Sequence, residues 1–283
     1  TGKDKIAICG YHGWHDWYLS TNLNSDKNLD GHLLPGLKPN GVPRGLTGTT
    51  LPFNYNDIEQ LEQLIKENNG EIAAIKMEVS RNEGPKNNYL QKVRDLATEN
   101  NIILIFDECT SGFRETFGGL HKALGNGYAI SACIGRQKFM QAAQQTFISS
   151  TFWTERIGPT AALKTLEIME KERSWDKITK IGNSISNQWQ DMADKYELNI
   201  STWGLPALSG YTFNSPNALA YKTLITQEML EKGYLAANSV YACTEHKREI
   251  VDGYFTELDP IFATIKECEE GLDVNTLLKS PLC

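Results

Sequence analysis

The 283-residue sequence has no long hydrophobic run: its longest apolar stretches, such as Ile102 to Phe106, fall far short of the roughly 20 residues that a membrane-spanning helix needs. Nothing in it is suited to crossing a bilayer. Blocks of Lys and Arg are also missing, and 28 basic against 35 acidic side chains leave a formal net charge of −7. Without a basic stripe to track phosphates, nucleic acid is excluded as a partner and small molecules are favoured. There is no CxxC pair. The six cysteines (Cys9, Cys109, Cys133, Cys243, Cys268 and Cys283) are scattered, several of them in apolar stretches, which reads as reduced thiols of a cytoplasmic protein and not as a zinc site. Internal repeats and low-complexity tracts are absent. The chain also lacks an initiator Met or a signal peptide, and Thr1 stands close to an apolar segment that already reads as a strand, so an amino-terminal part of the fold is expected to be missing.

What is present suits a globular protein of one large domain or two smaller ones. Hydrophobic residues make up 40% and charged residues 22%, enough to close a sizeable core. Ile6–Cys9, Ile72–Met77 and Ile102–Phe106 are short, Ile-rich and bounded by polar segments, and they predict strands. Between them, one helix is expected to open at Asn56, with Glu59 three residues on, and a second to run from about Asn88 to Asn100. Strand, helix, strand in this order predicts a parallel α/β sheet. The segment from Ser20 to Pro52 is rich in Asn, Gly, Pro and Asp without periodicity and reads as a long functional loop.

After Thr151 the character changes. The expected organisation is a partial large domain over 1–165, a connecting long helix over 166–195 and a small α+β domain over 196–283. That small domain is expected to hold strands at Ile200–Trp203, Tyr211–Asn214 and Tyr234–Ala236, with helices at Ala218–Lys232 and Glu245–Glu270.

Four local patterns can carry chemistry. Asp107 and Glu108 directly follow an apolar strand, where a carboxylate either meets a ligand or caps a helix. Tyr11-His12-Gly13-Trp14-His15-Asp16-Trp17 also follows a strand. Its aromatics beside glycine suit a flat ring or an aromatic core corner, and its two histidines have no third metal ligand at a telling distance. Lys122 sits among glycines in GGLHKALGNG, either as a nucleophile partly removed from water or as a surface lysine. Ser149, Ser150 and Thr151 offer three hydroxyls that bind phosphate oxygens or cap the next helix.

The order and spacing of these pieces resemble the class III (fold type I) aminotransferases that use pyridoxal phosphate, and most closely the glutamate-1-semialdehyde aminomutase-like branch. The matching stretches are GYHGWHDW (10 to 17), GVPRG (41 to 45), FNYND (53 to 57), IAAIKMEV (72 to 79), LIFDECTSGFR (104 to 114), GNGYAISACIGR (125 to 136) and STFWTERIGPTAAL (150 to 163). The resemblance implies an aspartate aminotransferase-like fold, with a mainly parallel sheet in the large domain. It also implies amino transfer between a small amino donor and a carbonyl acceptor through a lysine Schiff base.

By the same resemblance Tyr11 would stack on the pyridine ring, with His12 and Gly13 beside it. Asp107 would pair with the ring nitrogen, Cys109 would pack on the other face, and Glu78 would lie near the cofactor. Thr151 would reach the cofactor phosphate of a neighbouring subunit, which implies a homodimer. Lys122 would be the Schiff-base lysine and proton carrier.

Besides the expected missing amino-terminal part, with its phosphate-cradling Gly-Ser/Thr segment, and an abrupt carboxyl end, the chain departs from the family pattern within the matched region. Val79 stands where many members have Pro. About a dozen residues that the family places between the FGG-L-H and K-A-L-G-N-G regions are missing, so Lys122 either ends the first region or opens the second, and only the second is catalytic. The stretch MEVSRNEGP differs from that of the mutases, which sets general transamination ahead of intramolecular transfer, with a truncated non-catalytic relative as the third reading.

Overall fold

Alternation of Ile6 and Ile8 with Ala7 and Cys9 gives a strand two apolar faces, as a parallel sheet covered on both sides requires. The computed structural model describes residues 1–32, 35–80, 83–117, 122–148, 151 and 154–282, with the backbone alone at 122 and 123. The chain divides into two compact units, 1–111 and 112–283.

The first unit runs β1 (Lys5–Cys9), α1 (Asp16–Leu19), β2 (Thr50–Pro52), α2 (Ile58–Glu67), β3 (Ile72–Glu78), α3 (Tyr89–Glu99) and β4 (Ile103–Asp107). Its four strands are all parallel, in the order β2-β1-β3-β4. Parallel neighbours need crossovers, and α2 and α3 supply those that lead into β3 and β4. Leu61 and Ile65 of α2 and Val93 and Ala97 of α3 pack with Ile72, Ile75 and Met77 of β3. A second cluster joins Ile8 of β1 to Tyr18 and Leu29. Because parallel register aligns strand ends, Glu78 pairs with Asp107 and both carboxylates stand at the carboxyl end of the sheet.

Two local expectations shift. The α2 cap is Asp57, whose side chain accepts the Gln60 N–H, while Asn56 is left-handed at φ 64° and lies outside the helix. The 20–52 segment is not loop throughout. Its end forms β2, where Pro52 is tolerated because an edge strand leaves one side of its ladder unpaired.

In the second unit come α4 (Gln137–Met140), α5 (Ile157–Glu172), α6 (Ser174–Lys195), β5 (Ile200–Leu205), β6 (Leu208–Phe213), α7 (Ala218–Glu231) and α8 (Arg248–Glu269). The helical stretch expected over 166–195 is two helices, broken at Arg173 in the left-handed conformation (φ 51°, ψ 51°). The strands β5 and β6 form an antiparallel hairpin packed on α6, α7 and α8 through Trp189, Tyr211, Tyr221, Phe255 and Phe262. Gly182 lets α6 pass close to the hairpin turn: a Cβ there would lie 1.7 Å from the Pro206 carbonyl oxygen. No strand forms over 234–236. Tyr234 packs edge-on against Tyr254, and Ser239 makes an isolated bridge to Gly210 instead.

Candidate active site at the carboxyl end of the sheet

In open parallel sheets the carboxyl ends of the strands are where ligands are met. There Gly10 directly follows β1, while β3 ends in Glu78 and β4 in Asp107. Gly10 is required by close approach: at φ 102°, its Cβ would lie 2.4 Å from Glu78 Oε2. Glu78 is buried, and its Oε2 accepts the Tyr11 N–H at 3.1 Å, which fixes the start of the Tyr11–Trp17 segment. The Tyr11 ring lies 5.4 Å from that of Trp14 and meets Tyr18 edge-on at 5.9 Å. Gly13, also at φ 102°, makes the turn in which His15 comes to stack on Trp17 at 4.7 Å.

His12 is buried, with Nε2 3.1 Å from the Cys9 carbonyl and Nδ1 3.1 Å from Asp107 Oδ2. Both ring nitrogens face acceptors. Asp107 Oδ1 accepts the Cys109 N–H at 3.2 Å, and Lys76 Nζ stands 3.4 Å from Oδ2. Burial by itself would raise the Asp107 carboxyl. The hydrogen bonds from His12 and Cys109 and the charge of Lys76 outweigh it and hold the group well below the ordinary carboxylate range. Asp107 is therefore an anion at neutral pH. The buried Cys9 thiol is pushed up to about 12 by burial and then by the charge of Glu78, which leaves it unreactive.

Below the Gly10 turn lies a hollow of about 240 Å³ lined by His32, Tyr55, Glu78 and Glu83. His32 Nδ1 accepts the Gly10 N–H at 3.1 Å, which requires the neutral ring. Burial, and then the charge of His12, hold His32 below its ordinary 6.5. Since the folded value lies below the unfolded one, this contribution to stability is complete above 6.5 and is lost as pH falls beneath it. Acidification from about pH 7.5 to about pH 5.5 is expected to lower the urea midpoint, with a slope of at most about 1.4 kcal/mol per pH unit for one proton. His32→Gln is expected to flatten that slope. An unchanged profile in the variant would assign the acid sensitivity to another group.

Of the residues singled out in the sequence, Tyr11, His12, Gly13, Glu78, Asp107 and Cys109 are brought together in the first unit, Cys109 through its backbone N–H and with an exposed side chain. Lys122 opens a one-turn 3-10 helix (Lys122–Gly125) in the second unit, and its side chain lies outside the described structure. Thr151 is an exposed residue of the second unit, while Ser149 and Ser150 lie outside the described residues. Lys76 was missed, although a lysine two residues before Glu78 in an otherwise apolar strand shares the face of Glu78 and was legible as such. Among the described residues no group of three or more His, Cys, Asp or Glu side chains could hold a metal, and no helix is long and apolar enough to cross a membrane.

A parallel sheet whose carboxyl end holds an anion backed by an imidazole defines an α/β protein with a candidate site at its strand ends. The family description "Aminotransferase class-III" matches residues 2–240. A 3-aminobutyryl-CoA aminotransferase from Cloacimonas acidaminovorans is 33% identical over 80% of this chain and 56% of its own length. A glutamate-1-semialdehyde 2,1-aminomutase from Methanococcus maripaludis (strain C6) is 29% identical over 92% of this chain and 68% of its own. That second alignment extends over 297 positions, more than the whole chain, so the relative has positions without a counterpart here.

Among solved structures, the FumI protein of Sphingopyxis sp. MTA144, in its PLP internal aldimine form, superposes with a TM-score of 0.82. It is 19% identical over 97% of this chain and 68% of its own. An omega-transaminase from Sphaerobacter thermophilus gives 0.80 at 18% identity, over 93% of this chain and 69% of its own. The chain belongs to the class-III aminotransferase family, and its fold is that of the pyridoxal-phosphate transaminases.

Proposed function

We propose that this chain carries out pyridoxal-phosphate-dependent amino transfer between a small amino compound and a carbonyl acceptor. The observation that carries the reading is Asp107, an anion at the sheet's carboxyl end, fixed through His12 to the Cys9 carbonyl. The chain spans 56% of the length of the 3-aminobutyryl-CoA aminotransferase it matches, and the activity is inferred for the site rather than carried over from that protein.

The donor set fits the cofactor's ring: a permanent carboxylate for a ring nitrogen, with an aromatic side chain on the neighbouring segment. When bound, pyridoxal phosphate supplies an electron-withdrawing ring that takes up the electron pair left on the substrate's Cα. Asp107 would keep that ring's nitrogen protonated by its charge. His12, held at both nitrogens, fixes the direction in which Asp107 points. Tyr11 would cover one face of the ring and exclude water from it, and Glu78 and Cys109 would complete the surroundings. Lys122 would hold the cofactor covalently and, as an uncharged amine, would take a proton from the substrate's Cα. Thr151 would bind the phosphate across a homodimer interface, and a cytoplasmic location accords with the dispersed thiols.

The test is covalent labelling. Protein incubated with pyridoxal phosphate and reduced with borohydride is expected to carry one phosphopyridoxyl group on the peptide containing Lys122. No saturable label, or label on scattered surface lysines, would leave a non-catalytic relative as the better description.

A second reading, intramolecular transfer of the aminomutase kind, is favoured by the coverage of the Methanococcus relative and by GVPRG at 41 to 45. Glutamate-1-semialdehyde given without an amino donor separates the two. Sustained formation of 5-aminolevulinate would select the mutase.

A further inference from the structure

Lys76 has no part in the amino-transfer reading, yet its ammonium lies on the carboxylate that the reading depends on. It belongs to the central strand β3, level with Ile8 of β1 and Ile105 of β4. A lysine there lays its stem on apolar neighbours and must find a partner for its charge. The side chain is 24% exposed, and Nζ lies 3.4 Å from Asp107 Oδ2 and 5.5 Å from the centre of the Trp17 ring.

That oxygen is already shared, because His12 Nδ1 donates to it at 3.1 Å. His12 takes one lone-pair direction of that oxygen by a hydrogen bond, and the Lys76 ammonium stands 3.4 Å from the same atom as an ion pair. A protonated ring nitrogen arriving at Oδ2 therefore meets a charge of its own sign. The Trp17 face is close enough to receive the ammonium once it is displaced.

We propose that Lys76 is a resident counter-ion of Asp107, which a cationic pyridine ring must displace towards Trp17. It is a positioning residue that loosens the hold on the cofactor ring and makes the cofactor more readily exchanged. This inference rests on the amino-transfer reading and deepens it.

The experiment uses the full chain and 4′-deoxypyridoxine 5′-phosphate, a ring that pairs with Asp107 but has no aldehyde to bond with Lys122. Its dissociation constant is measured by calorimetry for wild type, Lys76→Met, Lys76→Arg and Asp107→Asn. Lys76→Met is expected to bind about ten-fold tighter, the scale of one competing ion pair removed from a partly buried carboxylate. Lys76→Arg, whose guanidinium can fork onto both carboxylate oxygens, is expected to bind more weakly than wild type. Asp107→Asn is expected to lose most of the affinity.

A lysine that merely supported the fold would weaken binding in both substitutions. Equal or weaker binding by a folded Lys76→Met overturns the proposal. If that variant does not fold, Lys76→Arg binding as well as or better than wild type overturns it. Measurable binding by wild type that Lys76→Met leaves unchanged defeats this inference alone, whereas no binding by any of the four proteins defeats the amino-transfer reading beneath it.

Discussion

Asp107→Asn is expected to lower the rate of amino transfer by about 10³, the scale on which one preorganised electrostatic partner acts in a site closed to water. The substitution is nearly isosteric, and an amide oxygen can still accept from His12 Nδ1, now 3.1 Å away. What it removes is the charge. A neutral partner no longer favours a protonated ring nitrogen, and the electron sink weakens without any change in shape.

Stability falls as well, and its direction follows from the depressed carboxyl. A group held below its unfolded value of 3.8 contributes stability above that value and loses it as pH falls through the lower folded one. The variant should therefore melt earlier at neutral pH and differ less from wild type in acid. Single-turnover rates with an amino donor, read beside thermal melts across pH, check both parts. A rate within ten-fold of wild type, in a variant shown to bind the cofactor, would remove Asp107 from its role.

Much of this site was legible before the fold was known, and the limits of that legibility have physical causes. Strands β1, β3 and β4 announce themselves as short Ile-rich runs, and Asp107 is readable as a strand-end carboxylate because its run stops there. The contact between His12 and Asp107 is another matter. The two lie 95 residues apart, and only the β1-β3-β4 order makes them neighbours. No local pattern encodes that order; the family resemblance did.

Lys76 went unread for the opposite reason. The resemblance gave it no role, and its partner is set by register, one pleat before the Glu78–Asp107 pair. Short elements failed for want of signal: β2 is three residues long and includes a proline, and the break at Arg173 has neither Gly nor Pro to mark it. The reach of the Lys122 and Thr151 side chains towards a ligand rests on resemblance, and the labelling experiment addresses the first of them directly.

Trp189→Ala is expected to destabilise the second unit by about 3–5 kcal/mol, the usual cost of emptying a core aromatic site. The reason lies in how little that unit's sheet can hold by itself. The hairpin β5–β6 is two strands, and a two-stranded hairpin is marginal in water without a packed face. Stability must come from α6, α7 and α8 closing over it, and Trp189 on α6 is the keystone at 1% exposure. Its ring lies 4.8 Å from that of Tyr211, and its Nε1 donates to the Tyr254 hydroxyl of α8 at 3.0 Å.

Truncation opens a void beside Tyr211, whose buried hydroxyl already makes no hydrogen bond among the described residues, and it leaves Tyr254 without this donor. Trp189→Phe separates the two losses. It keeps most of the volume and drops the hydrogen bond, and should cost about 1–3 kcal/mol. Urea unfolding followed by far-UV circular dichroism measures both without relying on the altered fluorophore. If the alanine variant loses less than about 2 kcal/mol, the cavity has collapsed, and the hairpin is held by contacts other than those around Trp189.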